Sequence, residues 1–366
     1  MENRQNSDIP DAFLKDENFV KKIANKFPEI LLRVPQLSSN KNFMHDILNQ
    51  GNPKAFQYAS DTLRNDLSFI IENIEYNPKL AEYVSPSIWD NSKALDMLID
   101  KEPLCAAYIP NLSKEKIISA IQKDGEVLTA FPEMQKDEEM IRLAAETKPE
   151  VALMYVTEEM CKDREWVKEQ LDRSANFLFG RVKYLSEKIR NDTEFMEYIM
   201  KNICSYAFQH ASNDLKNNKD VILDFLQKGY YVDPNFVSPS LQRDNDFLLK
   251  AGQYDRDFFQ YLQLDKPGIV KAAMERQNMH LIHQIPDKMW ENKKIRSMLD
   301  LQYFDALSNK AKDLIINDKK LILAKLDNTH TTLIQYLAIS PQVKTDPDYM
   351  NALIKNLNSP NLVGVK

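Results

Sequence analysis

The chain has 366 residues, of which 43% are hydrophobic and 28% are charged, a balance typical of a folded globular protein. Its formal net charge of −6 disfavours a general nucleic-acid binder, because such a protein needs a basic stripe to neutralise phosphates. The seven glycines are too few for a turn-rich β protein or for Gly-rich phosphate loops, and no apolar run approaches the roughly 18–20 residues that cross a bilayer.

The two ends of the chain predict flexible tails, and the cysteines predict a reducing compartment. The first ten residues, MENRQNSDIP, have no apolar core, so we expect no secretory signal, and we predict a flexible tail over residues 1–8. Residues 358–366 predict a second tail. Cys105, Cys161 and Cys204 have no metal-like spacing and predict core side chains in a reducing compartment such as the cytoplasm. Delivery of the protein to a host cell stays open.

A short signature recurs along almost the whole chain. It consists of an apolar residue, then Ser, Thr or Pro, then an apolar residue two or three places on. The first five copies start at residues 9, 34, 59, 84 and 109, a constant step of 25. The copies are IPDAF (9–13), VPQL (34–37), ASDTL (59–63), VSPSI (84–88), IPNL (109–112), FPEM (131–134), VTEEM (156–160), LSEKI (185–189), ASNDL (211–215), VSPSL (237–241), IPDKM (285–289), LSNKA (307–311) and ISPQV (339–343).

Two further markers keep the same phase, which makes a chance repeat implausible. A polar residue followed by an apolar pair comes after each signature, as in NDLSFI (65–70) and NDTEFM (191–196). Prolines come before it, and the first four of them are also 25 residues apart: Pro28, Pro53, Pro78 and Pro103.

The repeat that starts at Asn65 predicts three consecutive helical segments. Asn65 or Asp66 should cap helix A, whose apolar stripe contains Phe69, Ile70 and Ile74 and which should run to about Tyr76. Pro78 should end helix A and begin a shorter helix B, KLAEYV (79–84). Ser85 should then cap one more turn that points Ile88 inward.

These short helices predict an all-α fold of the stacked-repeat type. A helix pair of this length cannot bury its apolar face alone, so neighbouring repeats must cover it. We therefore predict one α-solenoid of about 14 helix-pair repeats over residues 9–357, with a period of about 25 residues. The irregular segments 173–185 and 254–268 are where this array could bend or break.

The segment AFQYASDTLRNDLSFIIENI (55–74) resembles a bacterial helical-repeat family, the domain of unknown function 4116, whose repeats contain an ALQYAS-x-x-L-R-x-D phrase. The resemblance is closest at 55–74 and 207–226 and is fainter, but in phase, over nearly the whole chain. It implies a helical-repeat fold, and the family name carries no activity.

Residues that could carry chemistry all have a structural interpretation as well. His280 and His283 form an H-x-x-H that a metal could use, but His283 aligns with Leu32 of an earlier repeat. The remaining histidines, His45, His210 and His330, are isolated. The acidic pairs Asp163/Glu165 and Asp192/Glu194 recur at helix starts, which favours capping over acid–base catalysis. We therefore assign no catalytic, cofactor-binding or metal residue.

The leading hypothesis is a non-enzymatic scaffold that binds a protein or peptide along the solenoid surface, with some of the tyrosines and phenylalanines as anchors. One alternative is an enzyme or small-ligand binder with a pocket at the irregular repeats. Another is a nucleic-acid-binding helical solenoid, which the acidic balance disfavours. No cofactor is expected, and the partner's identity and the oligomeric state stay open.

Overall fold

The computed structural model describes residues 9–275, 279–325 and 331–357, and within these ranges the protein is all-helical without a β-strand. The predicted tails at 1–8 and 358–366 lie outside the described residues. The chain divides into two compact units, Met1–Arg190 and Asn191–Lys366, here called the N-terminal and C-terminal units. The prediction of a single array over 9–357 stays a prediction.

The N-terminal unit alternates α-helices with short 3₁₀-helices. Its α-helices are α1 Glu17–Ala24, α2 Pro35–Ser38, α3 Lys41–Asn49, α4 Asp61–Arg64, α5 Leu67–Ile74, α6 Pro86–Trp89, α7 Ser92–Lys101, α8 Lys114–Lys123, α9 Glu138–Thr147, α10 Pro149–Tyr155, α11 Arg164–Arg173, α12 Ala175–Leu178 and, up to the division, α13 Glu187–Asn191. Its 3₁₀-helices are η1 Phe13–Lys15, η2 Pro28–Arg33, η3 Pro53–Tyr58, η4 Pro78–Tyr83, η5 Pro103–Tyr108, η6 Gly125–Ala130, η7 Met160–Lys162 and η8 Val182–Tyr184.

The C-terminal unit has the same kinds of element. Its α-helices are α14 Thr193–Asn202, α15 Asn213–Lys216, α16 Lys219–Gln227, α17 Asn245–Ala251, α18 Pro267–Glu275, α19 Lys293–Met298, α20 Asn309–Ile316, α21 Lys319–Lys325, α22 Thr331–Ile339, α23 Pro341–Lys344 and α24 Pro347–Leu357. Its 3₁₀-helices are η9 Ala207–His210, η10 Pro234–Phe236, η11 Leu241–Arg243, η12 Arg256–Tyr261, η13 Met279–Gln284, η14 Asp287–Glu291 and η15 Leu301–Ala306.

The repeat at Asn65 has the three predicted segments, with one difference in helix type. Asp66 caps α5, and its side chain accepts a hydrogen bond from the backbone N–H of Phe69. Helix B is η4, a 3₁₀-helix that begins at Pro78, as short helical pieces often are. The third segment is α6, which buries Ile88 as predicted. Ser85 precedes α6 without capping it, because its hydroxyl hydrogen-bonds that of Ser87 instead.

Neighbouring repeats cover each other's apolar faces within each unit. In the N-terminal unit the 3₁₀-helices η2 to η6 contact one another in succession, and the A helices α3, α5, α7, α8 and α9 do the same. In the C-terminal unit α16, α17, α18 and α19 pack in the same way. The aromatic side chains of Phe43, Phe56, Phe225 and Phe247 are fully buried between these rows. Since each helix has eleven residues or fewer, these contacts supply the stability that an isolated helix lacks.

The two irregular segments differ from the regular repeat in specific ways. Segment 173–185 contains the additional helix α12 before η8. In segment 254–268, helix B is η12 and the chain passes to α18 without the short third helix. All three cysteines are buried, which confirms them as core side chains.

Candidate interaction surface

Several signature serines bond to the preceding repeat through the backbone. The backbone N–H of Ser60 donates to the carbonyl of Ser38 at 3.1 Å, and that of Ser85 donates to Arg64 at 2.8 Å. The same bond recurs in the C-terminal unit, where Ser238 donates to Lys216 at 3.0 Å. The carbonyl acceptor lies near the end of the preceding repeat's short helix, where carbonyls have no intrahelical partner.

The signature serines also bond to an asparagine of the preceding repeat. Ser87 Oγ donates to Asn65 Oδ1 at 2.7 Å, and Ser238 Oγ and Ser240 Oγ both donate to Asn217 Oδ1 at 2.7 Å. Asn65 and Asn217 each follow the short helix of their own repeat. The serines therefore join neighbouring repeats. The capping that the sequence predicted for signature serines is present at Ser60 and absent at Ser85.

Charged pairs link the starts of successive A helices. Lys41, the first residue of α3, pairs with the cap Asp66 of α5 at 2.5 Å. Lys219 pairs with the cap Asp244 of α17 at 3.0 Å. The hydrogen bond from Lys41, together with the backbone N–H of Phe69, lowers the pKa of Asp66 below its ordinary 3.8. These pairs stabilise the carboxylate form of the caps.

A row of partly exposed aromatic side chains is the clearest surface feature. The last residue of helix B, which in the regular repeats directly precedes the signature, is aromatic in most repeats that the structure describes, and there it is half-buried or exposed. In the N-terminal unit this position holds Tyr58, Tyr83, Tyr108, Tyr155 and Tyr184, and in the C-terminal unit it holds His210, Phe236 and Tyr261. Because successive 3₁₀-helices η3, η4 and η5 pack side by side, their last residues lie along one edge of the unit. Within each unit, taken by itself, we call these residues the aromatic row.

In several repeats a side chain that follows helix B donates a hydrogen bond to a backbone carbonyl of helix B. Trp89 Nε1 donates to the carbonyl of Ala81 at 3.1 Å, near the end of η4. At the corresponding positions Gln135 Nε2 donates to the carbonyl of Leu128 at 3.1 Å and Gln242 Nε2 donates to Pro234 at 2.8 Å. The acceptors are backbone carbonyls of helix B. In two of these repeats helix B ends in a row residue, Tyr83 or Phe236, and in the third it ends in Ala130.

Three clefts lie beside the aromatic row. In the N-terminal unit a cleft of about 430 Å³ is formed by Glu82, Trp89 and Tyr108 with the adjoining residues 107, 109 and 110. In the C-terminal unit a cleft of about 490 Å³ includes Lys216, Asn217 and Phe236. Phe236 also lines a third cleft of about 260 Å³, which we call the tyrosine cleft: Tyr206, Phe208, Gln209, Tyr231, Asp233 and Phe236.

The tyrosine cleft has aromatic walls and a carboxylate. The rings of Tyr206 and Tyr231 meet edge to face, with centroids 5.1 Å apart, and their side chains are 60% and 42% exposed. Phe208 is buried at its base. Asp233 Oδ1 accepts hydrogen bonds from the backbone N–H and the side-chain amide of Asn235, both at 2.8 Å.

The electrostatic environment of this cleft is acidic. Burial raises the pKa of Tyr231, and the charges of Asp233, Asp255 and Asp257 raise it further. Among the residues that the structure describes, no lysine or arginine forms an ion pair with these three aspartates. The cleft therefore presents aromatic faces near three aspartates. Lys216 also borders it, because its Nζ donates to the carbonyl of Gln209 at 2.6 Å and lies 5.9 Å from the centroid of the Phe236 ring.

The residues that the sequence singled out for chemistry do not form a site together. Asp163 and Asp192 cap α11 and α14 by accepting backbone N–H hydrogen bonds, as the capping interpretation expects. His283 is exposed, as Leu32 is, while the side chain of His280 lies outside the described side chains, as does His330. In the described ranges no group of three or more His, Cys, Asp or Glu residues could hold a metal ion.

His45 has a structural role. One of its ring nitrogens, Nδ1, lies 2.8 Å from Asn73 Oδ1, and the other, Nε2, lies 2.9 Å from Asn49 Nδ2. Asn73 is buried and donates in turn to the carbonyl of Phe69 at 2.7 Å. His45 thus links α3 to α5, the next A helix.

Sequence reasoning missed the aromatic row and the tyrosine cleft. The row had a readable signal, because the residue before the signature is Tyr in five of the thirteen copies, at residues 58, 83, 108, 155 and 184. The cleft had none, since it depends on which side chains of adjacent repeats face each other.

Comparison with known proteins supports the family resemblance over one part of the chain. Residues 40–89 match the family model of a domain of unknown function (DUF4116), and this segment spans α3 to α6. The resemblance predicted from the repeat phrase is thereby confirmed over this range. Neither the curated proteins nor the solved structures contain a match to the chain. None of the helices in the described ranges is long and apolar enough to cross a membrane.

Proposed function

We propose that this protein is a non-enzymatic interaction scaffold that binds a protein or peptide partner along its aromatic row. The proposal includes the arrangement of the repeats: stacked units of about 25 residues that form an α-solenoid. The contacts between successive helices within each unit support this arrangement.

The observation that carries the proposal is the exposure of the aromatic row. Side chains of this size normally stay exposed on a monomer only singly, whereas here they recur at one structural position of successive repeats. Tyr108, Tyr184 and Phe236 are 37%, 50% and 39% exposed. Repetition at one edge is what an extended partner requires, because each repeat then contacts one part of it.

The chemistry of the row suits protein recognition. Tyrosine contributes a large apolar ring and a hydroxyl, and aromatic residues dominate the binding energy of protein interfaces. The row tyrosines are also partly buried, so little conformational entropy is lost when a partner covers them. The adjacent clefts could accept side chains of the partner, as that of Tyr108 beside Glu82 and Trp89 illustrates.

The test is selection of peptide ligands from a random library displayed on phage, with the full chain as bait. The decisive variant is Y83S/Y108S, which removes two neighbouring row tyrosines of the N-terminal unit. The matched control is Tyr76→Ser, since Tyr76 is 76% exposed but follows α5 and lies outside the row.

We expect selected peptides to bind the wild-type chain and Y76S equally and to bind Y83S/Y108S at least tenfold more weakly, the loss expected of removing about one hot-spot contact. Circular dichroism of each variant checks that the fold is intact. Peptides that bind the double variant as tightly as the wild type, or a library that yields no ligand, would overturn the proposal.

A further inference from the structure

The tyrosine cleft exists because two successive repeats lack the first turn of helix B. In the regular repeats a proline stands six residues before the signature and begins a six-residue 3₁₀-helix, as Pro53 and Pro78 do. The corresponding residues here are Ser205 and Tyr231, and helix B shrinks to Ala207–His210 and Pro234–Phe236. The missing turns leave space that Tyr206 and Tyr231 border from the two repeats.

A glycine turn places Tyr231 at this space. Gly229 follows α16 with φ of +82°, a left-handed conformation that favours glycine. The N–H of Gly229 donates to the carbonyl of Leu226 at 3.0 Å, and that of Tyr230 donates to Phe225 at 2.9 Å. This pair of bonds is a Schellman motif, which ends the helix and fixes the direction of the next residues.

Tyr230 anchors the segment on the other side. Its hydroxyl donates to Glu197 Oε1 at 3.2 Å, and its ring packs edge to face on Phe225 at 6.1 Å. With Tyr230 held in this way, Tyr231 is directed into the cleft rather than free to rotate with a loop.

We propose that the tyrosine cleft binds an arginine side chain of the partner. The proposal rests on the proposed function for the partner being a protein or peptide. Aromatic faces attract a cation through the ring quadrupole, and guanidinium also stacks on such faces. Asp233 Oδ2, which has no described hydrogen-bond donor, accepts from the guanidinium, and Asp255 and Asp257 add attraction at longer range.

The size and charge of the cleft favour one long basic side chain over other occupants. Its volume of about 260 Å³ falls below the roughly 300–1,000 Å³ of pockets for drug-sized ligands and cofactors. An acidic or phosphate-bearing ligand would meet three aspartates, which outnumber Lys216, whose ammonium already donates to the carbonyl of Gln209. Lysine would be attracted as well, but its compact ammonium does not match the flat walls as a planar guanidinium does.

The experiment is ¹⁹F NMR of the full chain labelled with 3-fluorotyrosine. The resonances of Tyr206 and Tyr231 are identified by their absence in the Y206F and Y231F variants. The probe is Nα-acetyl-arginine methylamide, and the matched control probe is the citrulline analogue, which has nearly the same shape without the charge. The decisive variant is Asp233→Asn, because the amide keeps an acceptor for Asn235 and removes only the charge.

We expect the arginine probe to shift both resonances in a saturable way and the citrulline probe to require at least a fivefold higher concentration for the same shift. D233N should weaken arginine binding at least threefold, whereas Y76S should leave it unchanged. Equal response to arginine and citrulline, or no response of either resonance, would overturn the proposal.

The outcome is independent of the test of the proposed function. Peptide selection probes Tyr83 and Tyr108 in the N-terminal unit, while the NMR titration probes Tyr206 and Tyr231 in the C-terminal unit. If selected peptides bind the aromatic row but arginine does not enter the cleft, only the arginine proposal fails.

Discussion

Gly125 allows one repeat to pack more closely against the next than a side chain would permit. It stands at the position that holds proline in the four preceding repeats and begins η6. A Cβ added at Gly125 would lie 2.2 Å from the carbonyl oxygen of Ala144 in α9 and 2.9 Å from its Cα. The backbone N–H of Gly125 also donates to Thr147 Oγ1 at 2.7 Å, which holds the two segments together.

The substitution Gly125→Ala should therefore destabilise the protein. The contact with Ala144 has to lengthen from 2.2 Å to at least 3.0 Å, and the obstacle is backbone that cannot rotate away. Overpacking of this kind costs about 1–3 kcal/mol. The smaller conformational entropy of unfolded alanine offsets about 0.4–1 kcal/mol of that cost, so a net loss of up to about 2.6 kcal/mol is expected.

Gly268 provides the matched control, because a Cβ added there meets nothing within 4 Å. It lies in α18, and there Gly268→Ala should stabilise the protein by about 0.4–1 kcal/mol. The same Gly→Ala substitution is thus expected to lower the free energy of unfolding at Gly125 and to raise it at Gly268.

Urea unfolding followed by circular dichroism measures both effects, and hydrogen exchange resolves them along the chain, since stacked repeats need not unfold in one step. We expect faster exchange in α9 of G125A and slower exchange in α18 of G268A. A G125A variant with the wild-type midpoint and wild-type exchange in α9 would refute the close-packing argument.

Three further predictions test the caps, the serine–asparagine bonds and the core. Lys41→Met should make the acid-induced loss of stability shallower. The lowered pKa of Asp66 adds stability that is present above its ordinary pKa of 3.8 and lost as the pH falls below it. Urea unfolding midpoints measured from pH 6 down to pH 2 should show this difference between the variant and the wild type. An equal pH dependence of the urea midpoint in Lys41→Met and in the wild type would contradict this expectation. Asn217→Ala removes the acceptor of two serine hydroxyls. It should lower the free energy of unfolding by about 0.5–1.5 kcal/mol per lost hydrogen bond, or by less where water replaces the acceptor, as chemical unfolding of the C-terminal unit can measure. An unchanged unfolding midpoint would count against the inter-repeat role of Ser238. Burial raises the pKa of Cys105 to about 12, so its thiol should resist iodoacetamide at pH 8 in the native protein and react in urea, as peptide mass spectrometry can show; rapid native labelling would contradict its place in the core.

The helical repeat was largely predictable because its determinants are local. Asp66, Pro78 and Ile88 act within a few residues of their own position, as a cap, a helix start and a buried anchor. Such roles depend on backbone hydrogen bonds and fixed φ angles, which any repeat with the same residues reproduces. The 3₁₀ form of helix B was not predicted, since its six residues fit either helix type by pattern alone.

The links between repeats were less predictable because they join residues that lie more than twenty positions apart. Ser238 has the same identity whether it only starts a turn or also bonds to Asn217. Likewise nothing local distinguishes Lys219 as the partner of Asp244 from a lysine that is simply exposed. These partners are known only when the repeats are placed side by side.

The amino-acid sequence by itself determined that the protein is a helical repeat with a period near 25 residues, since capping, proline geometry and apolar periodicity are local properties. Only the tertiary structure decided which aromatic side chains stay exposed and that Tyr206 and Tyr231 share a cleft with Asp233. The physical reason is that exposure and mutual orientation depend on the neighbouring repeat, whose distance and register are set by packing rather than by the order of residues.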